Sequence, residues 1–222
     1  MAHATRTSLT GVLSALLAVL LLATIAPPSA ADNATNLLST DQQDVESSTD
    51  GWTEQGNTTL TRTTPGSTGS HALAVHVDRD GKWADNTRTA RAGTTPGKQG
   101  IPVDVGTTYY GSIDTRPADG TSPTDVRCEL RWFNSRGRII STVTNATMTT
   151  QQAGQWVTTT CEGTAPNGTT HASLRVFAND TGYGDTHLVD NAWFTDAPIT
   201  TCLLYTSPSP RDRSLSRMPS SA

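Results

Sequence analysis

The sequence predicts an all-β fold, a two-sheet antiparallel β-sandwich that follows an amino-terminal signal peptide. Short segments with alternating apolar and polar residues follow one another between turn residues, and no helical pattern is found after the leader. Because successive side chains of a strand point to opposite faces, each segment has one apolar and one polar face. This is typical of sheets that pack on one side and face water on the other. Aromatic residues make up only 5% and charged residues 16%, beside 18 glycines, which also favours strands and turns.

The first element, residues 1–31, has the pattern of a secretory signal peptide. Arg6 precedes an almost wholly apolar stretch from Leu9 to Ile25, and small residues close the segment at Ala30 and Ala31. A basic start, an apolar centre and a small-residue cleavage site are typical of such leaders. The alternative is an uncleaved membrane anchor, which needs about 20 apolar residues. We expect a secreted, extracellular protein with no membrane contact after cleavage.

The last residues, 202–222, resemble a translated sequencing adapter. Cys202 to Asp212 matches one constant part, the variable index falls at 213–215, and Ser216 to Ala222 matches a second constant part. We therefore exclude 202–222 as an artefact. The domain is expected over 32–196, with a linker starting at 197–201 and the natural protein continuing past Thr201.

The expected mature segment is acidic. The chain has 16 basic and 20 acidic residues, and the excluded segments hold Arg6, Arg211, Arg213, Arg217 and Asp212, so 12 and 19 are left and the net charge is −7. An acidic surface repels polyphosphate, which argues against a nucleic-acid partner. We expect a monomer.

Two cysteines, Cys128 and Cys161, are left in the expected domain. An even pair in an exported chain predicts one disulfide. Two buried thiols are the alternative.

The strands expected within the domain are spaced as in a sandwich. Their apolar positions are Leu73, Val75 and Val77; Tyr109, Gly111 and Ile113; Val126, Cys128, Leu130 and Trp132; and Ala172, Leu174 and Val176. Turn residues separate them, for example Asp80-Gly81 and Asp119-Gly120. The polar segment from Asp85 to Gly100 is predicted to be a long loop or an irregular edge.

The order of these pieces resembles the jelly-roll carbohydrate-binding modules of the cellulase and xylanase type, known as CenC-like. The matching pieces are Asn36-Leu37-Leu38, Val45-Glu46, Gly51-Trp52, Gly69 to Leu73, Gly106 to Tyr109, Leu130 and Trp132 with Gly137, Trp156 with Ala165-Pro166, and Val189-Asp190-Asn191. They cover nearly all of 36–195. Two positions depart from the family: Val45 replaces the usual Phe, and Asp114 stands where members that bind glucans often have Trp.

The resemblance implies a structural calcium ion that joins the amino-terminal strand to the last strand. It places Glu46 and Asp190 as side-chain ligands, with carbonyl oxygens from around Asp44. Calcium takes several hard oxygen ligands and tolerates irregular geometry. The alternative is that these acids cap turns or pair with nearby donors.

The sugar-binding residues are expected in a shallow cleft on one sheet, because aromatic faces stack on sugar rings and polar side chains reach hydroxyls. The candidates from the polar faces of the strands and the first hairpin loop are Trp83, Tyr110, Asp114, Arg127, Glu129, Arg131, Phe133 and Arg175. The alternative for the charged set is an ordinary solvated face with cross-strand ion pairs. Trp52, Trp132 and Trp156 are expected to pack in the core or at its edges, and Trp193 is left open.

These features predict a non-catalytic module that binds a polysaccharide or oligosaccharide, the accessory domain of a larger protein such as a glycoside hydrolase. One alternative is a structural or adhesive spacer of a cell-surface protein with no sugar ligand. Another is a hydrolase, which needs two acids beside the scissile bond. Glu129 and Asp114 are the pair the sequence offers if their strands are neighbours.

Overall fold

The computed structural model describes residues 34–78, 90–144 and 146–199. In these ranges one short helix, α1, spans Thr40–Gln43, and a single 3₁₀ turn covers Gly97–Gln99. The strands are β1 Trp52–Glu54, β2 Thr58–Thr63, β3 Ala72–Val77, β4 Ala90–Thr94, β5 Ile101–Pro102, β6 Thr108–Pro117, β7 Asp125–Phe133, β8 Ile139–Val143, β9 Thr149–Thr150, β10 Val157–Thr164, β11 His171–Ala178 and β12 Thr186–Thr195.

The strands form two antiparallel sheets that pack as a sandwich. Sheet A has the order β1-β4-β11-β7-β8, with β5 pairing to β11 and β9 pairing to β7. Sheet B has the order β10-β6-β12-β3-β2. Neighbouring strands are mostly non-consecutive in the chain, so the connections cross from one sheet to the other. The predicted jelly-roll sandwich is confirmed.

The core lies between the inward faces of the two sheets. Trp132 of sheet A and Phe194 of sheet B are fully buried there. The ring of Tyr109 stacks on Phe194, with centroids 5.2 Å apart, and is tilted against Trp132 at 6.0 Å. All four predicted series of apolar positions point into this layer, as the alternation of side chains along a strand requires. The core and edge packing predicted for Trp52, Trp132 and Trp156 is also found.

The predicted disulfide between Cys128 and Cys161 is present. Cys128 belongs to β7 of sheet A and Cys161 to β10 of sheet B, with Cα atoms 5.3 Å apart. The bond therefore joins the two layers of the sandwich.

Two elements differ from the sequence predictions. Residues Ala90–Thr94 form β4, which lies between β1 and β11, so the predicted loop over 85–100 is wrong for this part. The inward side chains of β4 are those of Ala90, Ala92 and Thr94, which leaves little apolar signal. The short helix α1 was also missed. The side chain of Ser39 accepts from the backbone N–H of Gln42, whose own side chain accepts from the backbone N–H of Ser39, and this capping box was its only signal.

The two ends of the domain meet, as expected from the sequence. The backbone N–H of Leu37 donates to the carbonyl of Phe194 at 2.8 Å, and the side chain of Asn36 bonds to the backbone of Ala192 and Phe194. In the ranges described, no helix has the length and apolarity needed to span a bilayer.

Candidate functional site

The outward face of sheet A carries a row of polar side chains from β4, β11 and β7. Antiparallel pairing places Phe177 directly between Arg91 and Arg127, and places Arg175 between Gly93 and Glu129. Residues opposite each other in neighbouring strands point to the same face. The next pair along β11 and β7 is Ser173 with Arg131. The register therefore gathers four arginines around one glutamate.

Glu129 is the centre of this group and is only 2% exposed. One carboxylate oxygen lies 2.7 Å from Nη2 of Arg127 and the other lies 2.7 Å from Nη1 of Arg175. The Nε of Arg127 also donates to the first oxygen at 2.8 Å. Charge-assisted bonds of this kind are roughly twice as strong as neutral ones. Because both oxygens are engaged, Glu129 fixes the positions of two guanidinium groups.

The aromatic ring of Phe177 lies between two guanidinium groups on the same face. The Cζ of Arg127 is 4.3 Å from the ring centroid, and that of Arg91 is 5.1 Å away. Both distances are within the roughly 6 Å typical of cation–π contacts. The phenyl ring thus orders the two flanking arginines.

A pocket of about 310 Å³ opens beside this network. Its lining residues are Thr53, Glu54, Gln55, Gly56, Arg91, Pro96, Arg131 and Arg175. Gly93 lies against the stem of Arg175, and a β-carbon there would be 2.9 Å from Cγ of Arg175 and would collide with the side chain of Gln55. Because Gly93 has no side chain, it leaves room for the aliphatic part of the Arg175 side chain above it.

The buried charges of this face affect each other. Burial, followed by the nearby cation of Arg131, lowers the pKa of Arg175 to about 10, while Glu129 acts in the opposite direction. Burial also lowers the pKa of Arg131, against the effect of Glu129. Both side chains stay positively charged at neutral pH.

The structure brings together four of the predicted sugar-binding residues, Arg127, Glu129, Arg131 and Arg175. Phe133 lies on the same face but is only 3% exposed, so the expectation that its ring is open to solvent is wrong. Trp83 lies outside the described residues.

Tyr110 and Asp114 are not part of this face. Both belong to β6 of sheet B, and their side chains point away from the core on the opposite side of the sandwich from Arg127 and Glu129. The prediction of one shared cleft is wrong for these two residues. The chain passes from sheet B to sheet A between β6 and β7, so strands that are consecutive in sequence lie in different layers.

Asp114 has a full set of partners on sheet B. It accepts hydrogen bonds from Thr158 at 2.6 Å, from Ser67 at 2.5 Å and from the side-chain amide of Asn191 at 3.0 Å. The residue is 9% exposed. Through these contacts, Asp114 links β6 to β10, to β12 and to the loop before β3.

Two residues of the sheet A face were missed by the sequence reasoning. Arg91 was assigned to a loop, because β4 has no clear alternation of apolar and polar residues. Phe177 was placed on the polar face of its strand but was not included among the binding candidates. The same alternation that selected Arg175 could have selected Phe177, two residues further along β11.

The residues predicted to bind calcium lie away from the outward face of sheet A, around the segment 66–71. Asp190 is 1% exposed, and its Oδ2 accepts from the backbone N–H groups of Ser67 and Thr68 at 2.7 and 2.9 Å. Its Oδ1 is buried and has no hydrogen-bond partner. Burial raises the pKa of Asp190, while the N–H groups of Thr68 and Ser67 act in the opposite direction.

Glu46 contacts the other end of the same segment. It accepts from the backbone N–H groups of Ser70 and His71 at 2.6 and 2.8 Å, and its second oxygen lies 3.1 Å from Nδ1 of His71. The backbone N–H of His71 is the main reason that the pKa of Glu46 is lowered. The side chain of Asp44 accepts from the backbone N–H of Glu46 at 3.2 Å.

Three oxygens come together at one point of this segment. A β-carbon built on Gly66 would collide with the carbonyl oxygens of Thr68 and His71 and would lie 3.1 Å from Oδ2 of Asp190. These three oxygens converge, and they are the hard ligands that calcium prefers. Glu46 and Asp44 have other partners here, and no cluster of three or more His, Cys, Asp or Glu side chains suited to a metal occurs among the described residues.

The two acids that the hydrolase alternative requires are not placed together in the structure. Glu129 and Asp114 point from opposite faces of the sandwich, so they cannot lie on both sides of one glycosidic bond. Both oxygens of Glu129 are also engaged by arginines.

Comparison with known proteins identifies the class of fold. The sequence matches no protein-family model and no curated protein. Among solved structures, the CBM22-1 xylan-binding domain from Paenibacillus barcinonensis Xyn10C has a TM-score of 0.56 at 16% identity, covering 75% of this chain and 97% of that domain. The C-terminal family 22 carbohydrate-binding module of Clostridium thermocellum Xyn10B has a TM-score of 0.53 at 20% identity, covering 71% and 94%.

A larger structure shows a similar module beside an enzyme. It contains the CBM22-1 and GH10 modules of Clostridium thermocellum endo-1,4-β-D-xylanase 10B complexed with xylohexaose, with a TM-score of 0.52, 18% identity and coverage of 69% of this chain and 27% of that one. Identities of this size show a shared fold. This chain thus has the jelly-roll fold of carbohydrate-binding modules.

Proposed function

We propose that this protein is a secreted, non-catalytic carbohydrate-binding module that holds a polysaccharide on the outward face of sheet A. The observation that carries the proposal is the pocket beside Arg131 and Arg175, where the Glu129 ion pairs hold side-chain donors in place. Ligand sites are usually preformed hollows with a few fixed polar groups. The similarity to xylan-binding modules supports a sugar polymer as the ligand.

We propose that the module is not catalytic because both candidate acids, Glu129 and Asp114, are held by other side chains. A general acid must exchange a proton with the bond it cleaves. Glu129 is buried in ion pairs with two arginines, and Asp114 is bound by three donors on the other sheet. Neither is placed to act on a sugar in the pocket of sheet A.

The proposal includes secretion and a role as an accessory domain. The disulfide between Cys128 and Cys161 supports an oxidising compartment. A binding module raises the effective concentration of a tethered enzyme near an insoluble polymer. The arrangement of a similar module beside a xylanase domain supports this role.

Affinity electrophoresis tests the proposed function. The protein is run through native gels that contain neutral glucans, xylan, mannan, chitin or acidic polysaccharides, with serum albumin as the unbound reference. We expect retardation by at least one polymer and no release of reducing sugar from any of them. A folded sample that no polymer retards would support the structural spacer instead, and sugar release would support a hydrolase.

We also propose that calcium binds where Asp190 and the carbonyls of Thr68 and His71 converge. A ligand at a hundredfold excess over its Kd stabilises a protein by about 2.7 kcal/mol, which corresponds to a rise in Tm of about 5 to 10 °C for a domain of this size. We expect such a rise when Ca²⁺ is added to chelator-treated protein.

The matched variants for calcium are Asp190→Ala and Asp119→Ala. The side chain of Asp119 is 93% exposed, so this variant should keep the Ca²⁺-dependent rise in Tm, whereas Asp190→Ala should lose it. For each variant, the Tm in chelator is subtracted from the Tm in calcium. A general loss of stability then does not affect the comparison. An equal Tm in calcium and in chelator for the unmodified protein would refute the site.

A further inference from the structure

Four arginines lie together on one face of the described part of this domain. The expected mature segment has a net charge of −7, yet four of the eight arginines in the described residues lie together on the outward face of sheet A. They are Arg91, Arg127, Arg131 and Arg175. Their proximity results from the register of β4, β11 and β7 and not from a generally basic composition.

Among the described residues, three of these cations lie around one buried carboxylate. Arg127, Arg131 and Arg175 share the single buried carboxylate of Glu129, and both of its oxygens are used by Arg127 and Arg175. The Nε of Arg131 donates to the neutral hydroxyl of Thr142 at 3.2 Å. Glu54, at the rim of the pocket, is exposed to water. Arg131 thus lines the pocket without a direct ion pair to Glu129.

Arg175 adds a donor that has no partner. The residue is 4% exposed, lines the pocket, and its Nε is buried without a hydrogen-bond acceptor. A buried donor left unsatisfied costs about 1–3 kcal/mol. Burial and the repulsion from Arg131 also lower the pKa of Arg175. An anion that enters the pocket would reduce this repulsion.

Among the described residues, the aromatic groups of this face do not provide an open stacking surface. Phe133 is buried, and the ring of Phe177 is covered by the guanidinium groups of Arg91 and Arg127. Neutral sugar rings are usually held by stacking on aromatic faces. Among the described residues, this face instead offers planar guanidinium groups, which pair with carboxylates through two parallel hydrogen bonds.

We propose that the pocket lined by Arg131 and Arg175 binds the carboxylate of a uronic acid residue, so that the polysaccharide recognised is an acidic, uronate-bearing chain. This rests on the proposed function, because it names the ligand of the same face. The pocket volume of about 310 Å³ lies at the lower end of the roughly 300–1,000 Å³ usual for small-ligand sites. It is therefore of a size for one charged sugar unit and not for a long stretch of polymer.

Calorimetric titration with defined oligosaccharides tests this inference. The ligands are tetragalacturonate, its fully methyl-esterified form, xylotetraose, and a sulfated oligosaccharide of the same length and charge. We expect tetragalacturonate to bind at least tenfold more tightly than its methyl ester, and its affinity to fall as salt is raised, since exposed charges are screened. The methyl ester is the matched control, because it removes the charge and keeps the sugar chain.

The protein variants are Arg131→Gln, Arg131→Lys and Arg136→Gln. Arg131→Gln should weaken tetragalacturonate binding about tenfold, the scale of one charge-assisted hydrogen bond, and should weaken binding of the methyl ester by clearly less. Arg131→Lys keeps the charge without the planar fork and should give an intermediate loss. Arg136 lies in the exposed turn after β7 and does not line the pocket, so Arg136→Gln should bind as the unmodified protein does.

The outcomes separate the two proposals. Equal affinity for tetragalacturonate and its methyl ester, or a preference for xylotetraose, would overturn the uronate assignment and leave the proposed function intact. Equal or tighter binding of the sulfated ligand would overturn the carboxylate as the recognised group. Loss of tetragalacturonate binding in Arg136→Gln would show an unspecific charge effect and overturn the assigned pocket. No binding of any oligosaccharide or polymer would remove both proposals.

Discussion

Replacing Glu129 with alanine is expected to lower the free energy of unfolding by about 3–5 kcal/mol, the range found when one partner of a buried ion pair is removed. The reason is that the side chain of Arg175 is only 5% exposed and has Glu129 as its ionic partner at 2.7 Å. Without that carboxylate, a buried cation is left beside Arg131 and Arg127. Urea denaturation followed by tryptophan fluorescence measures the change.

The matched control is Glu54→Ala, which removes an exposed glutamate of β1. Exposed positions usually change stability by no more than about 0.5 kcal/mol. A double-mutant cycle with Arg175→Ala separates the pair from the packing of each side chain, and we expect a coupling energy of about 1–3 kcal/mol. A loss below about 1 kcal/mol in Glu129→Ala would contradict the buried network.

The second large effect is expected from removing the disulfide. Its cysteines are 33 residues apart in the chain, and a loop of this length gives about 4 kcal/mol of stabilisation in the chain-entropy treatment. The double variant Cys128→Ala with Cys161→Ala should lose about this much. The bond joins β7 to β10 in the folded protein. Without it the two segments move independently in the unfolded chain, and the entropy of the unfolded state rises.

The control for the disulfide is the effect of a reducing agent. Dithiothreitol should lower the denaturation midpoint of the unmodified protein towards that of the double variant and leave the double variant unchanged. Two free thiols, the alternative considered from the sequence, predict that the reducing agent changes neither protein. A midpoint of the unmodified protein that does not respond to reduction would therefore contradict the bond.

The proposed calcium site and the proposed uronate site lie at different places in this fold. Asp190 and the segment 66–71 lie on the sheet B side, where they fasten a loop to β12, whereas Arg131 and Arg175 lie on sheet A. We therefore expect chelation to lower Tm without a direct effect on the charges of the pocket. Titrating the acidic oligosaccharide in chelator at a temperature well below Tm checks this separation.

The sequence by itself determined the sandwich, the inward residues of four main strands and the disulfide. These follow from simple rules. Side chains alternate along a strand, and an even pair of cysteines in an exported chain usually forms a disulfide. The same alternation also put Arg127, Glu129, Arg131 and Arg175 on polar faces. It could not reveal β4, because small inward residues give no periodic signal.

Only the tertiary structure decided which polar faces belong to one site. Tyr110 and Asp114 share the polar pattern of Arg127 and Glu129, yet they lie on the opposite side of the molecule, because a jelly roll sends consecutive strands to different sheets. The position of Arg91 beside Phe177 depends on a pairing between strands distant in sequence. Strand order and register are set by the packing of the whole core, and for this reason the arginine group could not be found in any one segment.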